Sequence, residues 1–207
     1  MAATVQEEFS LGELAVRFGL TLRGEPHLRV RSVATLARAE PGSLSFLANS
    51  RYRRQLQTTR ATAVLVTAGD EVDCPVAALI HPDPYLAYAR IALLLHPLAM
   101  AAPGKHPSAV VSGSARIAAS ANIGPLAVVE DDAEIGDRVI IGPGCIVQRG
   151  AVVGDDSVLV SRVNLYPGVS LGKRCILHAG AVVGADGFGF AQNSGSWFKV
   201  PQVGSVR

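Results

Sequence analysis

From Val111 to Val183 an aliphatic residue occupies every sixth position without a slip: Val111, Ile117, Ile123, Val129, Ile135, Ile141, Val147, Val153, Leu159, Leu165, Leu171, Leu177 and Val183. Two residues before each stands a mostly small side chain, as at Ala109, Ala115, Ala121, Ala127, Ala133, Cys145 and Ala181, and glycine often follows, as at Gly124, Gly136, Gly142, Gly154 and Gly172. A period of six fits neither the 3.6 of a helix nor the alternation of a hairpin array, but it fits short strands that turn a corner every six residues. Three such strands per coil of eighteen residues make a triangular prism, with each aliphatic side chain pointing inward and stacking on its equivalent one coil away. Val111, Val129, Val147, Leu165 and Val183 then form one column, and ordinary strand spacing gives a prism roughly 20 Å tall. The small residue is expected to fit the tight corner, and the glycine after the aliphatic residue is expected to supply a turn with positive φ. Cys145 and Cys175, thirty residues apart, fall on different faces and read as small core fillers.

Residues 1–100 carry no such beat and read as a small α/β unit. Ser10 is placed to cap a helix through about Phe18, with Glu13 completing a capping box. Apolar runs at Leu28 to Val33, Ser43 to Leu47, Ala61 to Val66 and Val76 to Ile80 read as strands, and Pro84 opens a helix through about Leu95. The stretch 101–107 reads as a hinge, and 108–207 as the β-helix.

Composition removes several function classes. A formal charge of +2 with no block of like charges argues against a nucleic-acid surface. The N-terminal residues lack the basic flank and apolar core of a secretory signal, and the most apolar helical run, Ile91 to Leu95, is far short of the ~20 residues needed to span a bilayer. The expectation is a soluble, cytoplasmic protein. Three cysteines without CxxC spacing fit reduced, buried thiols, and the repeat region's only histidines, His106 and His178, are too few for a zinc site.

One segment of the first unit stands apart from its apolar runs. In S43-L-S-F-L-A-N-S-R-Y-R-R-Q-L56, Asn49, Arg51, Tyr52, Arg53 and Arg54 gather where a strand gives way to a helix. The plain reading makes Phe46 core, Asn49 or Ser50 a helix cap and the arginines solvated. An aromatic face beside an amide and guanidinium groups also suits a base ring and its phosphates.

The order of parts carries a resemblance. F46-L-A-N-S-R-Y-R, then H81-P-D-P-Y-L-A-Y-A-R, H106-P-S-A-V, the hexads, and finally G184-A-D-G-F-G-F-A with W197-F-K-V-P-Q-V-G closely resemble the UDP-3-O-acylglucosamine N-acyltransferases of lipid A biosynthesis. The resemblance implies a left-handed hand for the β-helix, against the usual crossover rule. It implies that the first unit holds the uridine of a UDP-sugar, with Phe46 stacked on uracil, Asn49 bonded to its edge and Tyr52 a third contact. It also implies transfer of a 3-hydroxyacyl chain from acyl carrier protein to the 2-amine of UDP-3-O-acylglucosamine by a homotrimer, with a histidine as general base and neither metal nor further cofactor.

After Val183 the next aliphatic-glycine pair is Val203-Gly204, twenty residues on and out of phase, so 185–202 is expected to leave the prism as a loop. The resemblance implies that this loop walls the substrate cleft, with Asp186 and Phe188 as substrate contacts. The resemblance implies that the catalytic histidine follows the loop; none of the five histidines here matches it, which leaves His178, ahead of the loop, as the one candidate inside the coil and off the family's position. The expectation is therefore a β-helix incomplete at its C-terminus and a 207-residue chain without turnover. The competing reading is a UDP-sugar-binding or scaffold paralogue without chemistry.

Overall fold

The computed structural model describes residues 7–97 and 101–207, which fall into two compact units divided between residues 99 and 100. The first unit is an α/β sheet. Its helices are α1 (Leu11–Phe18), the short α2 (Arg53–Leu56) and α3 (Pro84–Leu95). The predicted capping box opens α1: Ser10 Oγ accepts from the Glu13 N–H at 3.2 Å and Glu13 Oε2 accepts from the Ser10 N–H at 2.7 Å. Asp83 caps α3, with Pro84 in the first turn as read from the sequence.

Five strands lie in the order Thr21–Arg23, Ala77–Ile80, Ala63–Val66, Ser43–Phe46, Ser32–Val33, all parallel except the first. Alternation along the strands divides the core. Ala63, Leu65 and Leu79 pack with α1 and α3, whereas Val64, Val66 and Ala78 pack on the other face with Leu36, Leu47 and Leu56. The run Leu28 to Val33 is not one strand. Arg29–Val30 pairs antiparallel with Phe9–Ser10 and Ser32–Val33 pairs parallel with Ser43–Phe46, the chain changing partners at Arg31. Thr21–Arg23, too polar to announce itself, is held at the edge; the Arg23 guanidinium donates to the carbonyls of Glu71, Cys74 and Val76.

The second unit is a left-handed parallel β-helix. Each coil strand from Gly104–Lys105 to Asn164–Leu165 pairs with the one eighteen residues on, so Val111, Val129, Val147, Leu165 and Val183 form the expected column. From Ala121 to Val169 the small residues two positions earlier are buried, and with the aliphatic series they make one continuous core.

Three expectations need correction here. The glycines after the aliphatic residues do not take positive φ, Gly184 excepted. That conformation belongs to the third residue after the aliphatic one: Leu126, Asp132, Arg138, Gly144, Gly150, Asp156, Arg162, Gly168, Arg174 and Gly180. In the turn closed by Cys145 N–H to Gly142 O, Pro143 stands second and Gly144 third with φ of 64°, as a type II turn demands. At Gly124, Gly136, Gly142 and Gly154 glycine follows the aliphatic residue for a different reason. A Cβ built on Gly154 would lie 2.7 Å from both the carbonyl carbon and the oxygen of Gly172 on the next coil.

The coil also begins earlier than its apolar beat. Gly104–Lys105, inside the stretch read as a hinge, pairs parallel with Asn122–Ile123, so Lys105 occupies a hexad position that carries no aliphatic residue. Nor does the chain resume at Val203, which is 95% exposed. It returns at Val206, whose carbonyl accepts from the Ser170 N–H at 2.9 Å. Between, Phe190–Asn193 and Ser196–Lys199 form an antiparallel hairpin around Ser194-Gly195, both at positive φ as a two-residue turn needs. Cys74 and Cys145 are buried and Cys175 is only partly so, the cysteines being free thiols.

Candidate nucleotide-binding site

In an open sheet of parallel strands, ligands collect at the carboxyl ends, where loops diverge. The strand Ser43–Phe46 delivers Phe46 to that edge. Pro41-Gly42 turns the chain into this strand, fixed by Ser43 Oγ donating to the Glu40 carbonyl at 2.6 Å. Phe46 packs on α3, its ring centroid 4.3 Å from Tyr88 and 5.3 Å from Tyr85. The two tyrosines are three residues apart on one helix face. Burial pushes the Tyr88 phenol above its ordinary value, with the neighbouring Tyr85 adding to the effect.

Phe46 also lines a cavity of about 420 Å³, within the usual range for small-molecule sites. Leu36, Ala37 and Ala48 supply further apolar wall, and Thr35, Asn49, Tyr52 and Gln55 supply polar groups. Phe46, Asn49 and Tyr52, singled out in the sequence, thus share one cavity. Thr35 and Gln55 were not singled out; a lone threonine and glutamine carry no sequence signal. Tyr85 and Tyr88 fall within the quoted H81-P-D-P-Y-L-A-Y-A-R segment, and their three-residue spacing was the available clue.

Asn49 takes the capping role weighed for it and also lines the cavity. Its Oδ1 accepts from the Arg51 N–H at 2.9 Å and caps the single 3₁₀ turn Ser50–Tyr52. Because only the oxygen can accept that proton, the cap fixes the orientation of the amide. The free end is therefore the Nδ2 group, a donor. Of the clustered arginines, Arg53 is engaged by Asp70, whereas Arg51 and Arg54 form no ion pair among the described residues.

The other candidates lie in the second unit. Asp186 forms an ion pair with Lys199 at 3.1 Å, and Lys199 Nζ also donates to the Gly187 carbonyl and sits 5.4 Å from the Phe190 ring centroid. Phe188 is almost fully exposed, with its ring centroid 5.2 Å from that of Phe190. Trp197 and Phe198 are exposed as well, so within this chain the aromatic hairpin is not folded onto the coil. His178 is an exposed corner residue, as its hexad position predicts. A larger depression of about 620 Å³ lies along one flat coil face between Arg116 and Asp155. It lacks an aromatic ring, and glycines 136 and 154 form part of its wall.

Among the described residues no group of three or more His, Cys, Asp or Glu is placed to hold a metal ion, and no helix is long and apolar enough to cross a membrane.

Residues 27–94 match the family model described as UDP-3-O-(3-hydroxymyristoyl) glucosamine N-acyltransferase, LpxD. Residues 114–149 match the bacterial transferase hexapeptide model, and 161–185 a hexapeptide repeat of succinyl-transferase. The chain is 51% identical over 206 residues to the UDP-3-O-acylglucosamine N-acyltransferase of Pseudomonas fluorescens (strain SBW25), covering 100% of this chain and 58% of that protein. Proteins of the same name from Pseudomonas aeruginosa (strain UCBPP-PA14) and Coxiella burnetii (strain Dugway 5J108-111) are 49% and 43% identical, each match covering 96% of this chain and 56% and 58% of the relative. The chain thus spans a little over half the length of the curated relatives it matches. A family match across the first unit, hexapeptide matches across the coil and whole-chain identity to these relatives converge on one conclusion: the chain belongs to the UDP-3-O-acylglucosamine N-acyltransferase family.

Proposed function

We propose that the first unit binds the uridine of UDP-3-O-acylglucosamine in the cavity walled by Phe46, Asn49 and Tyr52. The observation that carries this reading is the convergence of those three side chains on one partly apolar cavity at the carboxyl edge of the sheet. Stacking of a base on an aromatic ring is worth ~1–3 kcal/mol, and the ring is backed by Tyr88. The polarity of Asn49 sharpens the reading. With Oδ1 committed to the Arg51 N–H, the free amide donor suits a uracil carbonyl and disfavours the exocyclic amine of cytosine.

The reaction follows from this binding in the complete enzyme. The 2-amine of the bound sugar attacks the thioester carbonyl of a 3-hydroxyacyl chain carried by acyl carrier protein. The C–N bond forms, the C–S bond breaks, and the amine proton leaves through a histidine base while the carrier departs as its thiol. Backbone N–H groups stabilise the oxyanion formed on the way. No metal or further cofactor takes part. The enzyme works as a cytoplasmic homotrimer in lipid A biosynthesis, with Asp186 and Phe188 of the hairpin contributing to the substrate cleft. None of the five histidines here stands at the base position, so the 207-residue chain binds without turning over.

A second reading, a UDP-sugar-binding protein without chemistry, is favoured by one observation. His178, the one histidine inside the coil proper though not at the family's base position, is exposed, and among the described residues its side chain makes no ion pair or hydrogen bond to a carboxylate. Calorimetric titration with UDP tests the binding that both readings share. Phe46→Ala is expected to weaken UDP by the stacking energy, about 1–3 kcal/mol, and unchanged affinity rejects the assignment. Asn49→Asp keeps a good helix cap but presents an acceptor, so it is expected to shift the preference from UDP toward CDP. Amide formation above background by this chain contradicts its assignment as a binding portion only.

A further inference from the structure

The wall that carries Asn49, Tyr52 and Gln55 has little to hold it in place. Residues 48–55 are all exposed, and the first buried side chain after Leu47 is Leu56. A single 3₁₀ turn followed by the four-residue α2 is far too short to hold its shape unaided. Apart from Leu56, one side-chain link ties the wall to the sheet among the described residues. Arg53, between Tyr52 and Gln55 in sequence, grips Asp70 with Nε at 2.9 Å and Nη2 at 2.6 Å from the same Oδ1. The other carboxylate oxygen, Oδ2, accepts from Thr67 Oγ1 at 2.8 Å. Thr67 immediately follows the strand Ala63–Val66, and the turn Thr67–Asp70 is closed by the Asp70 N–H to the Thr67 carbonyl at 3.1 Å. The Asp70 side chain is only 13% exposed, unlike the acids of the coil's surface pairs.

We propose that Thr67, Asp70 and Arg53 are positioning residues that clamp the cavity wall to the sheet's carboxyl edge and so preset Asn49 and Tyr52 for the base. This rests on the cavity being the uridine site. A wall ordered before the ligand arrives costs less to order on binding, so the clamp raises affinity without touching the nucleotide. It also fixes Arg53 away from the role of a phosphate ligand, which leaves that role to Arg51 and Arg54.

The test is a double-mutant cycle on the full chain, read by calorimetry with UDP and CDP. Asp70→Asn is expected to weaken UDP about fivefold, the effect of losing a well-made ion pair, and to narrow the UDP-to-CDP ratio; Asp70→Glu is expected to restore part of both. In a Tyr52→Ala background Asp70→Asn is expected to cost less than it does in the wild type, because one of the two groups it positions is gone. Fully additive losses, equal losses for both nucleotides, unchanged UDP affinity, or tighter UDP binding through a released Arg53 would each overturn the clamp. Phe46→Ala separates the two levels. If it abolishes binding while Asp70→Asn does nothing, the uridine site stands and the clamp falls; if it changes nothing, the site itself falls.

Discussion

The two units of this chain solve the same problem, burying enough apolar surface, in opposite ways. The coil repeats one solution every eighteen residues, so that Val129, Val147 and Leu165 stand in register with their equivalents above and below. The first unit builds one non-repeating core, in which Leu11, Leu44, Leu65 and Ile91 come from four separate stretches of chain. Repetition makes the coil legible and makes its positions alike. Irregularity hides the first unit's fold but permits a place such as the Phe46 cavity, where neighbouring side chains all differ.

The sharpest way to break this contrast is to change a residue in phase and one out of phase. Val147→Asp places an unpaired carboxylate in the coil's sealed interior and is expected to cost several kcal/mol, abolishing the coil's thermal transition. Val110→Asp, one residue from a hexad position and 64% exposed, is expected to stay within about 0.5 kcal/mol of wild type. Equal effects would contradict the periodic interior. Next in size, Leu65→Ala is expected to destabilise the first unit by about 2–5 kcal/mol. If the units fold on separate cores, calorimetry should show that transition moving while the coil's stays; a single shared shift would show that they are not independent.

The smallest expected effect concerns the coil's outer edge, where charges also repeat. Arg138 donates through Nε and Nη2 to Asp156 at 2.6 and 2.8 Å, and Lys173 donates to Asp155 at 2.6 Å, each across eighteen residues. These hydrogen bonds from Arg138 and Lys173 hold the carboxyls of Asp156 and Asp155 below the ordinary carboxylate range. Because the folded value lies below the unfolded one, near ~4, the stabilisation is fully present above that pH. It is lost as pH falls through the lowered folded values. Asp156→Asn should therefore lower the coil's melting temperature slightly at pH 7 and progressively less as pH falls below about 4, and high salt should erase the difference. A larger effect in acid than at neutrality would contradict the assigned sign.

What could be read in the sequence follows the same division. Thirteen aliphatic residues in phase specified the eighteen-residue coil, because a single period fixes both strand length and stacking. The signal failed where chemistry departed from the beat. Lys105 hid the first strand, and the hairpin's insertion moved the return to Val206 rather than Val203. Glycine was assigned to the turn, when its cause is the close approach of the next coil, as at Gly154, and the turn itself accepts Asp132, Arg138 or Leu126. In the first unit, Phe46, Asn49 and Tyr52 stood out because they share one short segment. Thr35, Tyr88 and Asp70 join them only through folding, from positions 11 to 42 residues away from Phe46, and no local pattern announces that meeting.

The central claim, that the Phe46 cavity is built for uridine, is tested most directly by a crystal structure of this chain with UDP. The account predicts uracil stacked on Phe46 with a carbonyl oxygen within hydrogen-bond reach of Asn49 Nδ2, the Asn49 Oδ1 to Arg51 N–H bond intact. A pyrimidine seated elsewhere, or one in this cavity with its carbonyls turned away from Asn49, would contradict it.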